Sequence, residues 1–386
     1  MDLEALRIEI DQLDREIRDL LVRRMDCARA VGAYKRQRGL PIFQPDREEQ
    51  VLEKNLLEVG EDYRLAYGQI LRKIMETSRS LQGELQEGQP SPDAQLDIEG
   101  ILEAGSDAVP PTTVAFQGIE GSYSEEALVS LTGGRTVQKK PYETFREAVD
   151  SVLNGTCEAV VLPIENSSTG GVGEAENLLA DSGLYITAEW YLPIDHVLLG
   201  LPEAREEQLR LVVSHPQGLQ QCSRYLQQAG LIGQPWYNTA ISARKVAEDA
   251  DPTQGAIASR RAGSIYGLKV LREQIADNGH NYTRFVLASR KPQIQDGCNK
   301  IGLRLSTAHE VGALYRIIGI IAQSSLNMAR IESRPIHGRP WEYYFFIDVE
   351  GNLKEKRVRK ALETIGENSS HLTFLGNYPK GEWSVE

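Results

Sequence analysis

The sequence predicts a multidomain chain with an all-helical N-terminal segment, an α/β middle and an α+β tail. The grounds are an apolar stripe at helical spacing near the start, strand-like runs alternating with helical ones in the middle, and a distinct strand and helix order after Lys300.

Residues 3–35 place Leu6, Ile10, Leu13, Ile17, Leu20, Cys27 and Val31 at alternating spacings of three and four, which predicts one long helix. At ~1.5 Å per residue it spans roughly 50 Å, more than a small domain can cover alone. A second copy of the chain is the natural cover for the stripe. Pro41 and Pro45 mark a break, and further helical patterns run from Asp46 to Leu57 and from Tyr63 to Leu81.

From Gly83 to Thr113 the chain turns to Gln, Gly, Pro, Ser and Asp with no aromatic or basic residue, the composition of an inter-domain linker with room for one short helix near Ile98 to Glu103. Beyond it, the runs TVAF, EAVVLPI and LRLVVSH alternate with ETFREAVDSVLNG, QQCSRYLQQAG and AISARKVAEDA, which predicts α/β layers. The tail reads strand (KIGLRLS), helix (GALYRIIGIIAQS), strand (NMARIESRPI), strand (EYYFFIDVE), helix (EKRVRKALETIG), strand (HLTFLGNY). That β-α-β-β-α-β order is the ferredoxin-like plan.

Composition narrows function by exclusion. A chain of 386 residues with 41% hydrophobic and 25% charged residues is ordinary for a globular protein, and its apolar runs are too short for a membrane span. The acidic, amphipathic start MDLEALRIEIDQLD is unlike a signal peptide, so the expectation is a mature, cytoplasmic protein. A formal charge of −12 argues against general nucleic-acid binding, while local arginines can still hold an anionic metabolite. Cys27, Cys157, Cys222 and Cys298 form no CxxC pair and suggest neither a metal site nor a disulfide framework. All six histidines follow residue 195, so any chemistry in the helical segment proceeds without one.

The anomaly in the helical stripe is Arg24, where an apolar residue is due after Leu20. Alone, it reads as a side chain snorkelling from the stripe edge. Lys35 follows eleven residues later and, at about 100° per residue, returns to the same face. Arg7 points about 100° away, so a partner helix would have to supply it to the same pocket. Ser78 and Gln82 share one face of the third helix, and Arg47 and Glu48 open the second. Together these describe a cationic, hydrogen-bonding cavity in a helical bundle, suited to orienting an anion and stabilising charge without a nucleophile.

Through LxxLR (Leu3–Arg7), Arg23–Arg24, VGxxK ending at Lys35, DRE (Asp46–Glu48) and SxxxQ (Ser78–Gln82), residues 1–82 resemble the all-helical chorismate mutases. The resemblance implies that Arg7 of a partner subunit, Arg24 and Arg47 hold the carboxylates of chorismate. Lys35 and Gln82 would face the ether oxygen, Glu48 the hydroxyl, and Ser78 would assist a carboxylate. Gln44 stands where some relatives have an acidic residue. No cofactor is implied.

The middle segment carries GSYSEEA (Gly121–Ala127), PIENSSTGG (Pro163–Gly171), SHPQ (Ser214–Gln217) and NYTRF (Asn281–Phe285). Any one such loop merely turns the chain or caps a helix; four together describe a cleft at strand ends, where backbone N–H groups receive carboxylates. Neither GxSxG nor GxxxxGK[ST] is present. As a set, the loops resemble prephenate dehydratase from about Val114 to Lys291. The TRF triplet then implies Thr283 as the hydroxyl that protonates the departing ring hydroxyl of prephenate, while decarboxylation drives aromatisation to phenylpyruvate. Ser122, Asn166, Ser168, Thr169, Ser214, Gln217, Arg284 and Phe285 become the expected substrate contacts, with Arg284 a carboxylate holder.

In the tail, HEVGALYRII and ESRP (Glu332–Pro335) resemble the phenylalanine-binding ACT domains of these dehydratases. That implies effector contacts at Gly312, Ala313, Leu314, Glu332, Ser333, Arg334 and Pro335, with Glu332 and Arg334 framing the charged ends of L-phenylalanine. Tyr315 stands where relatives carry a smaller residue. The expected arrangement is an intertwined, dimeric mutase domain at 1–87, a linker at 88–112, a two-lobed dehydratase domain at 113–292 and an ACT domain at 298–386, in a homodimer or higher oligomer.

Two other readings stay open from sequence. One is a metabolite-binding regulator behind a coiled-coil dimeriser, against which the inward Arg24 and Lys35 count. The other is an enzyme whose mutase half has decayed.

Overall fold

The structure, a computed structural model, describes residues 2–40, 44–83, 96–105, 109–336, 338–339 and 341–381. The chain divides into two compact units, Met1–Pro90 and Ser91–Glu386.

The first unit is helical, with α1 (Leu3–Gln37), α2 (Pro45–Leu57) and α3 (Glu61–Gly83). Asp2 caps α1 through the Glu4 amide, and Pro45 opens α2, where its missing N–H costs nothing. The expected break at Pro41 lies outside the described residues. Leu52, Leu71 and Met75 form a small core between α2 and α3. On α1, by contrast, only Ala28 and Gly32 are buried. Its stripe lies open within one chain: Ile10, Leu13, Ile17 and Leu20 are each at least half exposed.

The second unit begins with α4 (Ile98–Ala104), β1 (Thr113–Gln117), α5 (Tyr123–Leu131), β2 (Gln138–Tyr142), α6 (Phe145–Leu153), β3 (Ala159–Asn166), β4 (Gly170–Gly171), α7 (Gly173–Ser182) and β5 (Tyr185–Pro193). It continues through β6 (Val197–Gly200), β7 (Leu211–Ser214), α8 (Pro216–Gln221), α9 (Ser223–Ala229), β8 (Ile232–Pro235), α10 (Thr239–Asp249), β9 (Gln254–Ala258), α11 (Arg260–Ile265) and β10 (Lys269–Arg272). β11 (Tyr282–Ser289) precedes the tail, which comprises β12 (Lys300–Ser306), α12 (Ala313–Gln323), β13 (Met328–Pro335), β14 (Tyr343–Glu350), α13 (Lys356–Glu367) and β15 (His371–Tyr378).

Among the described residues, three sheets result. The first runs β2-β1-β3-β11-β5 with β4 paired to β3, the second β10-β6-β9-β7-β8, and the third β13-β14-β12-β15. β11 therefore returns to the first sheet after the chain has completed the second, which brings the NYTRF segment beside PIENSSTGG. The expected α/β layers are present, and the tail has the expected order of strands and helices.

The tail is not a detached bead. Phe346, Leu375 and Tyr378 share a core with Val160, Leu162 and Val286 of the first sheet. The segment expected to be a linker also contributes: Ile98 and Ile101 of α4 are buried against Ile294, Ile301 and Leu303. Among the described residues, no helix is long and apolar enough to cross a membrane.

Candidate active site

In the helical unit, α1 and α3 approach closely where Gly32 meets Gln82; a Cβ on Gly32 would lie 2.9 Å from the Gln82 Cα. Two turns earlier on α1, the Arg24 guanidinium donates to the Ser78 hydroxyl and, at 3.4 Å, to the Ile74 carbonyl. Ser78 is buried and donates in turn to Ile74 O at 2.7 Å. Arg24 thus points inward, as its phase on the stripe predicts. Lys35 and Gln82 are half-buried, and among the described residues the Gln82 carbonyl oxygen is buried without a hydrogen-bond partner.

Glu48 forms an ion pair with Arg79, a residue the sequence reading passed over although it follows Ser78 directly. Gln44 and Arg47 are exposed. Arg7 is exposed too, 3.6 Å from Glu4, and the seventeen residues separating it from Arg24 put it roughly 25 Å away along the helix. Within one chain the structure brings Arg24 and Ser78 together and leaves Arg7 apart from them.

In the second unit, Asn166 ends β3 and Thr283 is the second residue of β11, directly opposite in an antiparallel pair. A bulge follows at once, because Arg284 faces Glu165 and Phe285 faces Pro163, leaving Ile164 as the extra residue. The Asn166 side-chain oxygen receives the amides of Ser168 at 3.0 Å and Thr169 at 3.1 Å, and the Thr169 hydroxyl at 3.2 Å. Backbone amides can only donate, so they fix which end of the Asn166 amide is oxygen. Its nitrogen must then face the Thr283 hydroxyl oxygen, 2.9 Å away, and Asn281 Oδ1, 2.7 Å away. Gln217, from the second sheet's α8, donates to the Thr169 hydroxyl at 3.0 Å. Asn166, Ser168, Thr169, Gln217 and Thr283 therefore form one polar cluster. Asn281 joins it; it was visible in NYTRF but not singled out.

Other expected contacts lie elsewhere. Arg284 is a correction: neighbours on a strand face opposite sides, so its guanidinium leaves the Thr283 side and is buried. There it donates to Glu189 at 2.7 Å, Asp348 at 2.6 Å and the Tyr378 hydroxyl at 2.8 Å. Lys300 completes the cluster at 2.9 Å from Glu189. Although burial alone would raise the Asp348 pKa, Arg284, Lys300 and Arg330 hold it below the usual carboxylate range. Phe285 is likewise a core residue, packed with Val114, Phe116 and Leu128. Ser214 is fully buried and donates to Ile257 O at 2.7 Å. Ser122 caps α5 through the Glu125 amide.

The two sheets meet beside Ser122. Gly121 adopts φ +86, and a Cβ there would lie 3.0 Å from Ala262 of α11. Glu125, buried, is held by Arg261 at 2.9 Å and Lys139 at 2.5 Å. Burial raises its pKa, but those hydrogen bonds and the Gly121 amide pull it down to a net lowering. His196 is buried between Tyr123 and Gln221, 2.9 Å from each.

In the tail, Gly312 takes a left-handed φ of +82 at the start of α12, a conformation glycine adopts without strain. Along β13, residues alternate. Glu332 and Arg334 are half-buried, while Ser333 and Pro335 face out. Arg334 donates to Gly171 O at 2.7 Å and lies 2.6 Å from Glu332. The expected set Glu332–Pro335 is thus split between two faces of the strand. Among the described residues, no group of three or more His, Cys, Asp or Glu side chains is placed to hold a metal ion.

Residues 114–293 match the prephenate dehydratase family and residues 6–83 the type II chorismate mutase family. Over 384 residues, 98% of this chain and 96% of the relative, the sequence is 32% identical to the bifunctional chorismate mutase/prephenate dehydratase of Escherichia coli strain K12. The chain belongs to the bifunctional chorismate mutase/prephenate dehydratase family. Two solved structures resemble about two thirds of the chain. One is a prephenate dehydratase in complex with L-Phe from Arthrobacter aurescens, with TM-score 0.64 and 31% identity, covering 69% of this chain and 90% of that one. The other is described as GqqA, a novel type of quorum quenching acylases, with TM-score 0.63 and 31% identity, covering 69% of this chain and 97% of that one. Membership makes this chain an enzyme of phenylalanine biosynthesis with both activities. It is an isomerase that converts chorismate to prephenate and a lyase that converts prephenate to phenylpyruvate.

Proposed function

We propose that the two reactions are run by the two polar clusters, one in each unit. In the helical unit, Arg24 with Ser78, joined by Arg47 and by Arg7 of a second subunit, holds the two carboxylates of chorismate. Lys35 and Gln82 face the ether oxygen, whose negative charge grows as its bond breaks, and Glu48 receives the hydroxyl. Such a site works by orientation and charge stabilisation. The open apolar stripe of α1 supports an intertwined homodimer, because a second copy would both cover it and bring Arg7 to the pocket.

For the dehydratase, the observation that carries the reading is the Asn166 amide donating to the Thr283 hydroxyl oxygen. With that oxygen already accepting, the threonine has its own proton to give, as protonation of the leaving ring hydroxyl requires. The carboxylate departs as CO2, the ring becomes aromatic, water and phenylpyruvate remain, and the Thr283 oxygen regains its proton from solvent, the one proton that the overall reaction consumes. A threonine acting as an acyl-transfer nucleophile would need a neighbour to take that proton, and an amide N–H cannot. Ser168, Thr169 and Gln217 are the substrate contacts nearest Thr283, with Ser122 and Ser214 shaping the loops around them.

In the tail, β12–β15 with α12 and α13 form a ferredoxin-like ACT domain that binds L-phenylalanine. Gly312, Ala313 and Leu314 contact it, together with the Glu332–Pro335 segment. Exposed Val311, Tyr315 and Ile331 support pairing of two such domains around the effector. Phenylalanine inhibits only so far as it binds one arrangement of the dehydratase cleft better than another.

Lys35→Ala and Thr283→Ala, each assayed on chorismate and on prephenate, test the assignment. We expect Lys35→Ala to lower mutase turnover by roughly 100-fold or more with dehydratase turnover kept. Thr283→Ala should do the reverse, by roughly 100-fold or more. Equal loss of both activities in either variant would overturn the two-site assignment.

A further inference from the structure

The hairpin β3–β4 carries Asn166, Ser168 and Thr169 in its turn, and its base is gripped from the tail on both strands. Glu165 and Gly171 face each other at that base. Arg334 of β13 donates to the Gly171 carbonyl at 2.7 Å. Arg330, two repeats of the pleat earlier on the same face, sets its Nε 3.3 Å from the Glu165 carboxylate. The two arginines are bound to each other through shared acids. Glu332 pairs with both, and Glu176 of α7, almost fully buried, lies 2.6 Å from Arg330 and 3.6 Å from Arg334. Contact is tight enough that a Cβ on Gly171 would fall 2.4 Å from Arg334 Nη2 and 2.5 Å from Glu332 Oε2.

From this we infer that Arg330 and Arg334 are positioning residues of the dehydratase reaction, clamping the hairpin so that the Asn166 amide stays on Thr283. The inference rests on the dehydratase reading above and deepens it. The tail is then part of the machinery that holds the catalytic hairpin, and a ligand that draws Arg334 or Glu332 away from Gly171 acts on turnover directly. Each clamp contact ends one or two residues from the turn, and Asn166 and Thr283 sit on adjacent strands, so a shift at the base is passed to the amide that touches the hydroxyl.

The test compares two glycines in the full chain. Gly171→Ala drives a methyl into the clamp, whereas Gly173→Ala puts its methyl at an ordinary 3.5 Å from the Arg334 guanidinium carbon. We expect Gly171→Ala to lower dehydratase kcat by about tenfold to 100-fold, with KM for prephenate changed much less, since the loss is in alignment. Gly173→Ala should stay near wild type, and mutase turnover of both should be unchanged. Arg334→Ala should share the kcat loss, and Arg334→Lys, which keeps a donor for Gly171 O, should recover part of it. The Arg334 pair decides the matter if Gly171→Ala does not fold. Gly171→Ala and Arg334→Ala both within about twofold of Gly173→Ala in kcat would overturn the clamp. A wild-type chain that leaves prephenate unchanged would instead overturn the dehydratase reading itself.

Discussion

On the reading proposed above, the helical unit and the sheet-built unit solve the same problem, fixing polar groups around an anion, from opposite starting points. In the second unit the framework is complete within one chain: Leu162, Leu198 and Leu303 are fully buried, and Asn166 and Thr283 hang from paired strands above that core. In the first, the inward cation Arg24 is set against Ser78 while Leu13, Ile17 and Leu20 of the same helix lie open. α1 has 35 residues and spans roughly 52 Å, against roughly 35 Å for the 23 of α3, so α3 cannot cover it. A sheet gathers residues distant in sequence into one core, whereas a long helix outruns its own neighbours. The first unit's site should therefore depend on a second copy, and the second unit's chemistry on contacts inside one copy.

The strongest way to break this contrast is to charge the stripe. Leu13→Asp combined with Ile17→Asp would bury unpaired carboxylates in any helix pairing, at several kcal/mol. We expect a smaller mass in sedimentation and a mutase turnover lower by about 100-fold or more, since Arg7 would no longer reach a neighbour's pocket. The folded core of the second unit should keep its unfolding transition. An unchanged mass with full mutase activity would show that α1 finds its cover elsewhere.

A second test acts inside the other unit. Arg284→Ala leaves Glu189 and Asp348 buried with Lys300 bonded to Glu189 and only the charge of Arg330 added at Asp348. Removing one partner from a buried ionic cluster costs about 3–5 kcal/mol, and the remaining lysine places the expected loss near 3. Denaturant unfolding of the second unit measures it. A loss below about 1 kcal/mol would mean that the cluster is solvated and the tail only loosely attached.

These two experiments probe features that were unequally legible in the sequence. The helical stripe, the inward phase of Arg24 and its meeting with Ser78 follow from angles along a helix, which the sequence carries locally. The α/β layers and the order of the tail follow from alternating runs in the same way. Arg284 was misread because TRF is contiguous in sequence but not in space: a strand's period of two separates Thr283 from Arg284. That period was available. What was not available was the partner, since Asp348 lies 64 residues further on and meets Arg284 only once the sheets pack. ESRP shows the same effect, its four residues falling on two faces of β13. The linker composition left room for the helix near Ile98 to Glu103 but hid its packing, because Ile98 and Ile101 of α4 find an apolar surface that only the folded tail provides.

The smallest expected effect separates the regions by pH. Every histidine lies beyond residue 195, so the helical unit has no imidazole to titrate. His196 is buried beside Tyr123 and Gln221, and burial pushes its pKa below the ordinary value, against the opposing pull of the Gln221 hydrogen bond and the Asp195 charge. Burial lowers His215 in the same direction. A folded state that refuses a proton loses stability where the unfolded chain accepts one. The second unit should therefore weaken as pH falls below about 6.5, by at most about 1.4 kcal/mol per pH unit for each ring, until the folded pKa is reached. Above about 6.5 both states are neutral at these rings and the slope vanishes. His196→Gln removes one ring and keeps a hydrogen-bonding group between Tyr123 and Gln221. Its unfolding free energy should fall less steeply than wild type between pH 6.5 and the folded value, with His215 contributing to the slope that remains. Equal slopes in the two proteins would mean that His196 takes up its proton in the folded state as readily as in the unfolded one. The junction between the sheets beside Gly121 would then be open to water, and the second unit less self-contained than the contrast with α1 requires.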